Sequence, residues 1–537
     1  MQAKAAASPP RIDFDAMPTL GDIVRYHARV RGTRPVLTFE GRTTSWVELD
    51  RASNRVANAL QAAGCEPGDR IAYLGKGTDQ FFELMFGVAK AGCVLTPVQW
   101  RLALPEVEQI LSDARPTLLF IDHEQLTKLD ALRALGFTTS SLLAMDPAPD
   151  GQLRYARWRD AASDTDRGTP IDANLAALQL YTSGTTGLPK GVMLSHRNLL
   201  SGRREAMREH MEWNEWLEDD VSLVALPVGH IGGVGWAIVG FFNGAHTIVQ
   251  REFIPPLVLD ALERQRVSKL FVVPTALHML LLQPRVREID YSRLRHILYG
   301  ASPIALELLR EATQVFGCGF CQQYGMTETA GTIVYLPPDD HDPRGNARMR
   351  SAGRAMPGVE IRVVDAVTRQ PLPCGRTGEV ETRSIANMVG YWNRADATAE
   401  TINDEGWLRT GDAGYLDEEG YLYILDRFKD MIVSGAENIY PAEVENAIFG
   451  HPAVQEVAVI GVPDDAWGEA VKAIVVLKPA AAADASEIIA FARTRIAGFK
   501  APKTVDFVAA LPRGPTGKIL RRTLREPYWA GRVRQVN

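Results

Sequence analysis

A chain of 537 residues exceeds one ordinary hydrophobic core and is expected to divide into about three to four compact units. Hydrophobic residues make up 46% and charged residues 23%, the composition of an ordinary soluble globular protein. With 59 Lys and Arg against 65 Asp and Glu the net charge is −6, which excludes a global basic field for nucleic acid and makes any phosphate binding local.

Met1 to Asp15 carries Ala and Pro but no apolar core of signal-peptide length, and no uninterrupted apolar run approaches a membrane span. Cys65, Cys93, Cys318, Cys321 and Cys374 are odd in number and scattered. No disulfide framework is therefore expected, and the cytoplasm is the default compartment. Cys318-Gly-Phe-Cys321 has redox or zinc spacing without a second pair, and within its apolar run both thiols read as small buried hydrophobes.

From Leu20 onward, apolar residues recur at helical spacing over 46–63 and 81–91, and a further helix opens at Pro105. Short apolar runs at 70–74 and 117–121 read as strands. Strands separated by helices of this length predict βαβ units and a parallel sheet covered on both faces, a doubly wound α/β fold. The stretch 145–172 is polar and reads as a long surface connection. The rhythm returns with strands at 222–226, 247–250, 270–273 and 296–299 and helices at 256–265 and 304–316. After Met349, alternating runs at 360–364, 378–382 and 421–425 predict a smaller β subdomain. A last unit, expected from Asp426, holds helices at 441–448 and 486–496 and strands at 457–462, 473–477 and 505–508, enough for a separate α+β domain. The expected division is thus 1–425 and 426–537.

Between the two wound segments stands Tyr181-Thr182-Ser183-Gly184-Thr185-Thr186-Gly187-Leu188-Pro189-Lys190-Gly191-Val192, directly after the apolar run 175–180. Glycines let backbone N–H groups turn toward an anion, hydroxyls donate to phosphate oxygens, and Lys190 adds positive charge, so the loop suits a polyphosphate. It is not a Walker loop, because Gly184 and Gly187 stand too close and Gly191, not Ser or Thr, follows the lysine. Four further polar stretches interrupt apolar surroundings: Gly300-Ala301-Ser302-Pro303, Gln322-Gln-Tyr324-Gly325-Met326-Thr327-Glu328, Trp407-Leu-Arg-Thr-Gly-Asp412, and Asp426-Arg427-Phe-Lys429-Asp430. Pro515-Thr-Gly-Lys518 closes the series.

In this order and spacing the chain, from about Leu20 to Glu526, resembles the adenylate-forming superfamily of acyl-CoA synthetases, peptide-synthetase adenylation domains and luciferases. Tyr181 to Val192, Tyr324 to Glu328 and Lys429 to Pro441 carry most of the likeness. The resemblance implies a large N-terminal domain binding ATP and a carboxylic acid, and a small mobile C-terminal domain that closes over them. It implies acyl-adenylate formation with loss of pyrophosphate, then displacement of AMP by the thiol of CoA, with ATP, Mg²⁺ and CoA as the cofactors. By resemblance Lys518 bridges the acid and the α-phosphate, Glu328 holds Mg²⁺, and Thr327 bonds the α-phosphate. Asp412 accepts the ribose hydroxyls with Arg427 beside it, and adenine lies between Gly300-Ala301-Ser302 and Tyr324, near Gln322. Lys429 marks the hinge of the swinging domain.

Gly435 and Ala436 would line the pantetheine tunnel with Trp467, while Arg101, Phe499 and Lys503 match positions that hold the CoA nucleotide in some aryl-CoA ligases. Ala436 replaces a usual glycine and Ala501 an arginine of those ligases, which weakens the expected CoA phosphate contacts. Pro227-Val-Gly229-His230-Ile-Gly232-Gly233-Val-Gly235-Trp236 matches the segment whose histidine lines the acyl site. Its glycines, with Gly325 and Met326, suggest a roomy apolar pocket for a medium or long fatty acid or a bulky aryl or branched acid. The absence of Lys, Arg or a further His over 229–239 argues against dicarboxylates. The alternatives are an adenylating enzyme that loads a carrier protein and a nucleotide-binding module without turnover. The partners expected are thus a small acid, ATP and CoA, with no nucleic acid and no membrane segment; a homodimer is one state the sequence leaves open.

Overall fold

The strand and helix alternation resolves into four sheets among the described residues of a computed structural model, which covers 12–137, 141–147, 154–183, 189–434, 437–464, 467–514 and 517–530. A seven-stranded sheet runs in the order Gly390–Tyr391, Pro189–Ser195, Ala176–Ser183, Val94–Gln99, Arg70–Gly75, Leu118–Ile121 and Leu142–Ala144. Within it Val94–Gln99, Arg70–Gly75 and Leu118–Ile121 are parallel and buried nearly throughout, as strands covered on both faces must be. A nine-stranded sheet follows, and its parallel interior includes Val221–Val224, Lys269–Val272, His296–Gly300 and Gly319–Met326.

Helices between the two sheets hold them together. Trp46–Ala62 and Asp79–Lys90 begin where Ser45 and Thr78 accept backbone N–H groups of the first turn. Their apolar stripes meet the helix Ile231–Phe242, where Phe241 packs its ring against Trp46, Phe82 and Phe86. This doubly wound pair of sheets is the α/β fold expected. Strands Val359–Val364, Gly378–Ser384, Leu408–Leu416 and Leu422–Arg427 form the antiparallel β subdomain. The separate C-terminal domain places helices Pro441–Phe449, Ala485–Arg493 and Arg521–Trp529 with a five-stranded sheet.

Several elements depart from the sequence reading. The connection 145–172 contains the helix Arg154–Asp160, anchored by Tyr155, which is wholly buried beside Phe120 and Trp158. A helix at His196–Arg208 was not anticipated, although Ser195 and Asn198 cap it reciprocally. The strand Leu422–Arg427 runs through the expected division at 426, so Asp426 and Arg427 still pair with the β subdomain. The five cysteines are free thiols. Burial pushes the Cys318 thiol up to about 12 and Cys321 further in the same direction, as inert core thiols require. Among the described residues no helix is long and apolar enough to cross a membrane.

Candidate active site

The predicted motifs converge on one large cavity between the N-terminal sheets, the β subdomain and the C-terminal domain. Strand Ala176–Ser183 pairs antiparallel with Pro189–Ser195, which sets Thr182 opposite Lys190. Gly184, Thr185, Thr186 and Gly187 lie outside the described residues, as does the side chain of Ser183. Lys190 Nζ sits 4.9 Å from the centre of the Tyr391 ring. The Tyr391 hydroxyl donates to Glu328 Oε1 at 3.0 Å, and Thr182 Oγ1 donates to the same oxygen at 3.5 Å. Glu328 and Thr327 occupy a single helical turn, Thr327–Thr329, directly after the strand Gly319–Met326, and both are buried. A carboxylate, Glu328, and a cation, Lys190, thus stand at the ends of these two strands.

The side of the cavity expected to hold the nucleoside is built on parallel strands. His296–Gly300 pairs with Gly319–Met326, setting Tyr299 opposite Gln322 and Gly300 opposite Gln323. A Cβ at Gly300 would stand 2.0 Å from the Gln323 carbonyl oxygen, so glycine permits this approach. Ala301 follows with φ of 68°, turning Ala301 and Ser302 into the cavity wall. The Tyr324 hydroxyl donates to Asp412 Oδ2 at 2.6 Å, and Arg427 Nε forms an ion pair with Asp412 Oδ1 at 2.6 Å. Burial and the Asp412 carboxylate both push the Tyr324 phenol up, so it remains a donor. Asp412 and Arg427 face one another across the antiparallel pair Leu408–Leu416 and Leu422–Arg427. Gln322, Tyr324, Gly325, Asp412 and Arg427 all line the cavity.

His230 caps the helix Ile231–Phe242. Its Nδ1 accepts from the Gly232 N–H at 3.1 Å, which leaves the ring proton on Nε2. Burial, and secondly the charge of Lys518, push its pKa down to about 4, so the ring is neutral at pH 7. That coupling sets Lys518, from the C-terminal domain, over the same end of the cavity, which Lys518 also lines. Gly517, at φ 81°, brings the lysine-bearing turn against Thr275 of the N-terminal part.

The residues expected to line an acyl pocket separate into two groups. His230, Gly232, Gly325 and Met326 line the cavity with Ile231, Trp236, Val239 and Phe271. Gly233 does not: a Cβ there would lie 2.2 Å from the Pro227 carbonyl oxygen, so this glycine permits a tight backbone turn rather than widening the pocket. Gly229 faces Gln99, where a Cβ would come within 3.2 Å of its backbone nitrogen. The stretch 229–239 lacks a cation, yet Arg203 arrives at this wall from the helix His196–Arg208 and lines the cavity beside Gly235. The missed signal is the Ser195 and Asn198 cap followed by Leu199, Leu200, Arg203 and Ala206 at helical spacing, which puts an arginine in a buried stripe.

The residues expected to hold CoA are not assembled around this cavity. Arg101 lines its rim, with Nη2 on Glu252 at 2.8 Å and its guanidinium over the Trp100 ring. Trp467 and Phe499 are exposed on the C-terminal domain, Lys503 Nζ is 6.0 Å from the Trp467 ring centre, and none of the three lines the cavity. Gly435 and Ala436 lie outside the described residues, as does the side chain of Lys429, whose backbone belongs to the turn Phe428–Asp430. Ala501 is buried.

Comparison with known proteins places this geometry. The fatty acid–[acyl-carrier-protein] ligase ScoC of Streptomyces coeruleorubidus is 42% identical over 528 residues, covering 98% of this chain and all of that protein. A feruloyl-CoA synthase from an Amycolatopsis species is 38% identical, over 93% of this chain and 97% of its own. The crystal structure of ATP-bound MatB from Rhodopseudomonas palustris superimposes with a TM-score of 0.85 at 33% identity, covering 95% of this chain and 99% of that one. Residues 24–392 match the family model of the AMP-binding enzymes, and residues 443–518 match that of their C-terminal domain. Cavity, strand order and sequence agree that the chain belongs to the AMP-binding enzyme family.

Proposed function

We propose that the protein is an ATP-dependent carboxylic acid–CoA ligase. The acid's carboxylate attacks the α-phosphorus of ATP and pyrophosphate leaves; the CoA sulfur then attacks the acyl carbon and AMP leaves. One observation carries the reading: Lys518 from the C-terminal domain and neutral His230, Glu328, Thr327 and the Tyr324, Asp412 and Arg427 chain line a single cavity.

Attack of one anion on another requires positive charge where negative charge gathers. Lys518 supplies it between the acid and the α-phosphate, Lys190 toward the leaving phosphates, and the Thr327 hydroxyl donates to the α-phosphate. His230 keeps Nε2–H as a neutral donor toward the acid without adding a cation to an apolar pocket. Asp412, held on both oxygens by Tyr324 and Arg427, accepts from the ribose hydroxyls, and adenine lies between Gly300-Ala301-Ser302 and the Tyr324 ring near Gln322. Among the described residues no group of three His, Cys, Asp or Glu side chains is arranged to hold a metal. The buried Glu328 carboxylate instead fits Mg²⁺ that arrives with phosphate oxygens and water as its other ligands. When bound, the ion offsets charge on the phosphates.

The second half-reaction follows a swing of the domain beyond Arg427 about Lys429. That swing would bring Trp467, Phe499, Lys503, Gly435 and Ala436 to the rim near Arg101. The acid is a medium or long fatty acid or a bulky aryl or branched acid, a reading supported by the apolar walls Trp236, Val239, Phe271 and Met326 and by the substrates named for the relatives. The 42% identity to a carrier-protein ligase favours a second reading in which a carrier's pantetheine thiol replaces CoA, and buried Ala501 agrees with it.

The test incubates the purified protein with ATP, Mg²⁺ and a panel of fatty and aryl acids, alone, with CoA, or with a pantetheinylated carrier, and identifies products by mass spectrometry. Acyl-CoA formed only when CoA is present is the expected result. Acyl-adenylate that persists with CoA but is consumed by the carrier would replace the ligase reading with the second.

A further inference from the structure

The end of the cavity near His230 contains a cation, Arg203, with no counter-charge among the described residues. Arg203 Nη1 donates to the Leu199 carbonyl, and Nη2 to the Gly235 carbonyl at 3.3 Å. Its Nε is buried and donates to nothing among the described residues. Several cations set into this fold have carboxylates, Lys90 with Asp50 at 2.6 Å, Arg159 with Glu83 at 2.6 Å and Arg521 with Glu445 at 2.8 Å; Lys269, which does not line the cavity, is held by the Trp213 and Glu215 carbonyls and the Trp216 ring. Among the described residues Arg203 has none, and burial without an opposing anion pulls its pKa down to about 10. A half-buried guanidinium without an opposing charge is unfavourable unless it is compensated. A binding site keeps such a group when the ligand brings the compensation.

The surroundings fit a ligand-facing role. Arg203 lines the cavity with Gly235, Trp236, Val239 and Phe271, an apolar wall that raises the strength of any contact to its charge. Gly235 leaves room, since a Cβ there would lie 3.4 Å from Nη2. Gly235 is the fifth residue of the helix that His230 caps, which sets the guanidinium about 7.5 Å along the helix axis from the reacting end. That span suits a medium chain or one aromatic ring.

We propose that the acid activated here carries a second oxygen acceptor at its far end, best as a second carboxylate, which Arg203 receives. The proposal rests on the ligase reading and reverses the expectation, drawn from 229–239 alone, that dicarboxylates are disfavoured.

The experiment measures pyrophosphate release on matched acids differing only at the far end: octanoate, 8-hydroxyoctanoate and octanedioate, and benzoate, 4-hydroxybenzoate and terephthalate. In the unaltered protein, kcat/KM is expected to be at least tenfold higher for an oxygen-bearing member than for its unsubstituted partner in one of the two series. In Arg203→Met that ratio should fall at least tenfold, and Arg203→Lys should restore part of it. Should octanoate and benzoate equal or exceed all their analogues in the unaltered protein, the inference is overturned while the ligase reading stands, whatever the variants' stability. If no acid releases pyrophosphate, the ligase reading fails and takes the inference with it.

Discussion

At the scale of single residues, Lys518 and His230 divide the work at one end of the cavity: one cation beside one ring kept neutral by burial and by that cation. In the proposed reaction the lysine serves adenylation alone, because it belongs to the part that swings away. Lys518→Ala is therefore expected to slow adenylation by about a hundred- to a thousandfold, the usual loss when one charge-stabilising donor is removed. The same variant should still convert supplied acyl-adenylate and CoA to thioester within a few-fold of the unaltered rate. Equal losses in both half-reactions, measured by pyrophosphate exchange and by thiol consumption, would refute this division.

Among the elements, the proposed adenine wall depends on two parallel strands meeting without a side chain at Gly300. Gly300→Ala would press a Cβ against the Gln323 carbonyl and force His296–Gly300 away from Gly319–Met326. Such overpacking costs about 1–3 kcal/mol. A lower thermal midpoint and weaker AMP binding by calorimetry are expected together, and unchanged AMP affinity would show that the wall tolerates the shift. These strand ends were legible in the sequence because Gly, Ser, Thr and charged residues interrupt apolar runs there, in a fixed order. Arg203 was not, since its approach to Gly235 depends on how two helices pack. Nor does a run of glycines reveal which way each absent Cβ would point: Gly232 and Gly235 face the cavity, while Gly229 and Gly233 face backbone and Gln99. The helix Arg154–Asp160 escaped because Tyr155 is its one buried residue and Trp158 its one partly buried aromatic, too few apolar positions to show a helical period.

For the whole molecule, burial of neutral histidines sets the response to acid. His27 and His196 are fully buried, with pKa values lowered by desolvation to about 3 and about 4. Both use Nδ1 as an acceptor, from Arg31 Nε and from the Leu20 N–H. Because the unfolded chain takes up these protons first, the contribution is whole above pH ~6.5 and is lost as pH falls toward the folded values. Each histidine approaches about 1.4 kcal/mol per pH unit over that window. The thermal midpoint should drop steadily from pH 7 to pH 5 at constant ionic strength, and a flat profile would contradict it.

The pairing of Asp412 with Arg427 has a consequence for the order of events. Arg427 is the last residue of its strand and the turn Phe428–Asp430 follows at once, so the pair and Tyr324 lie wholly on the stationary side of the proposed pivot. Lys518 lies beyond it. The departing domain would then carry away the group that makes the acyl-adenylate while the grip on its ribose stays closed. A short-lived mixed anhydride would thereby be handed from one chemistry to the next without release, and its escape into water would be governed by the ribose clamp rather than by the closing domain.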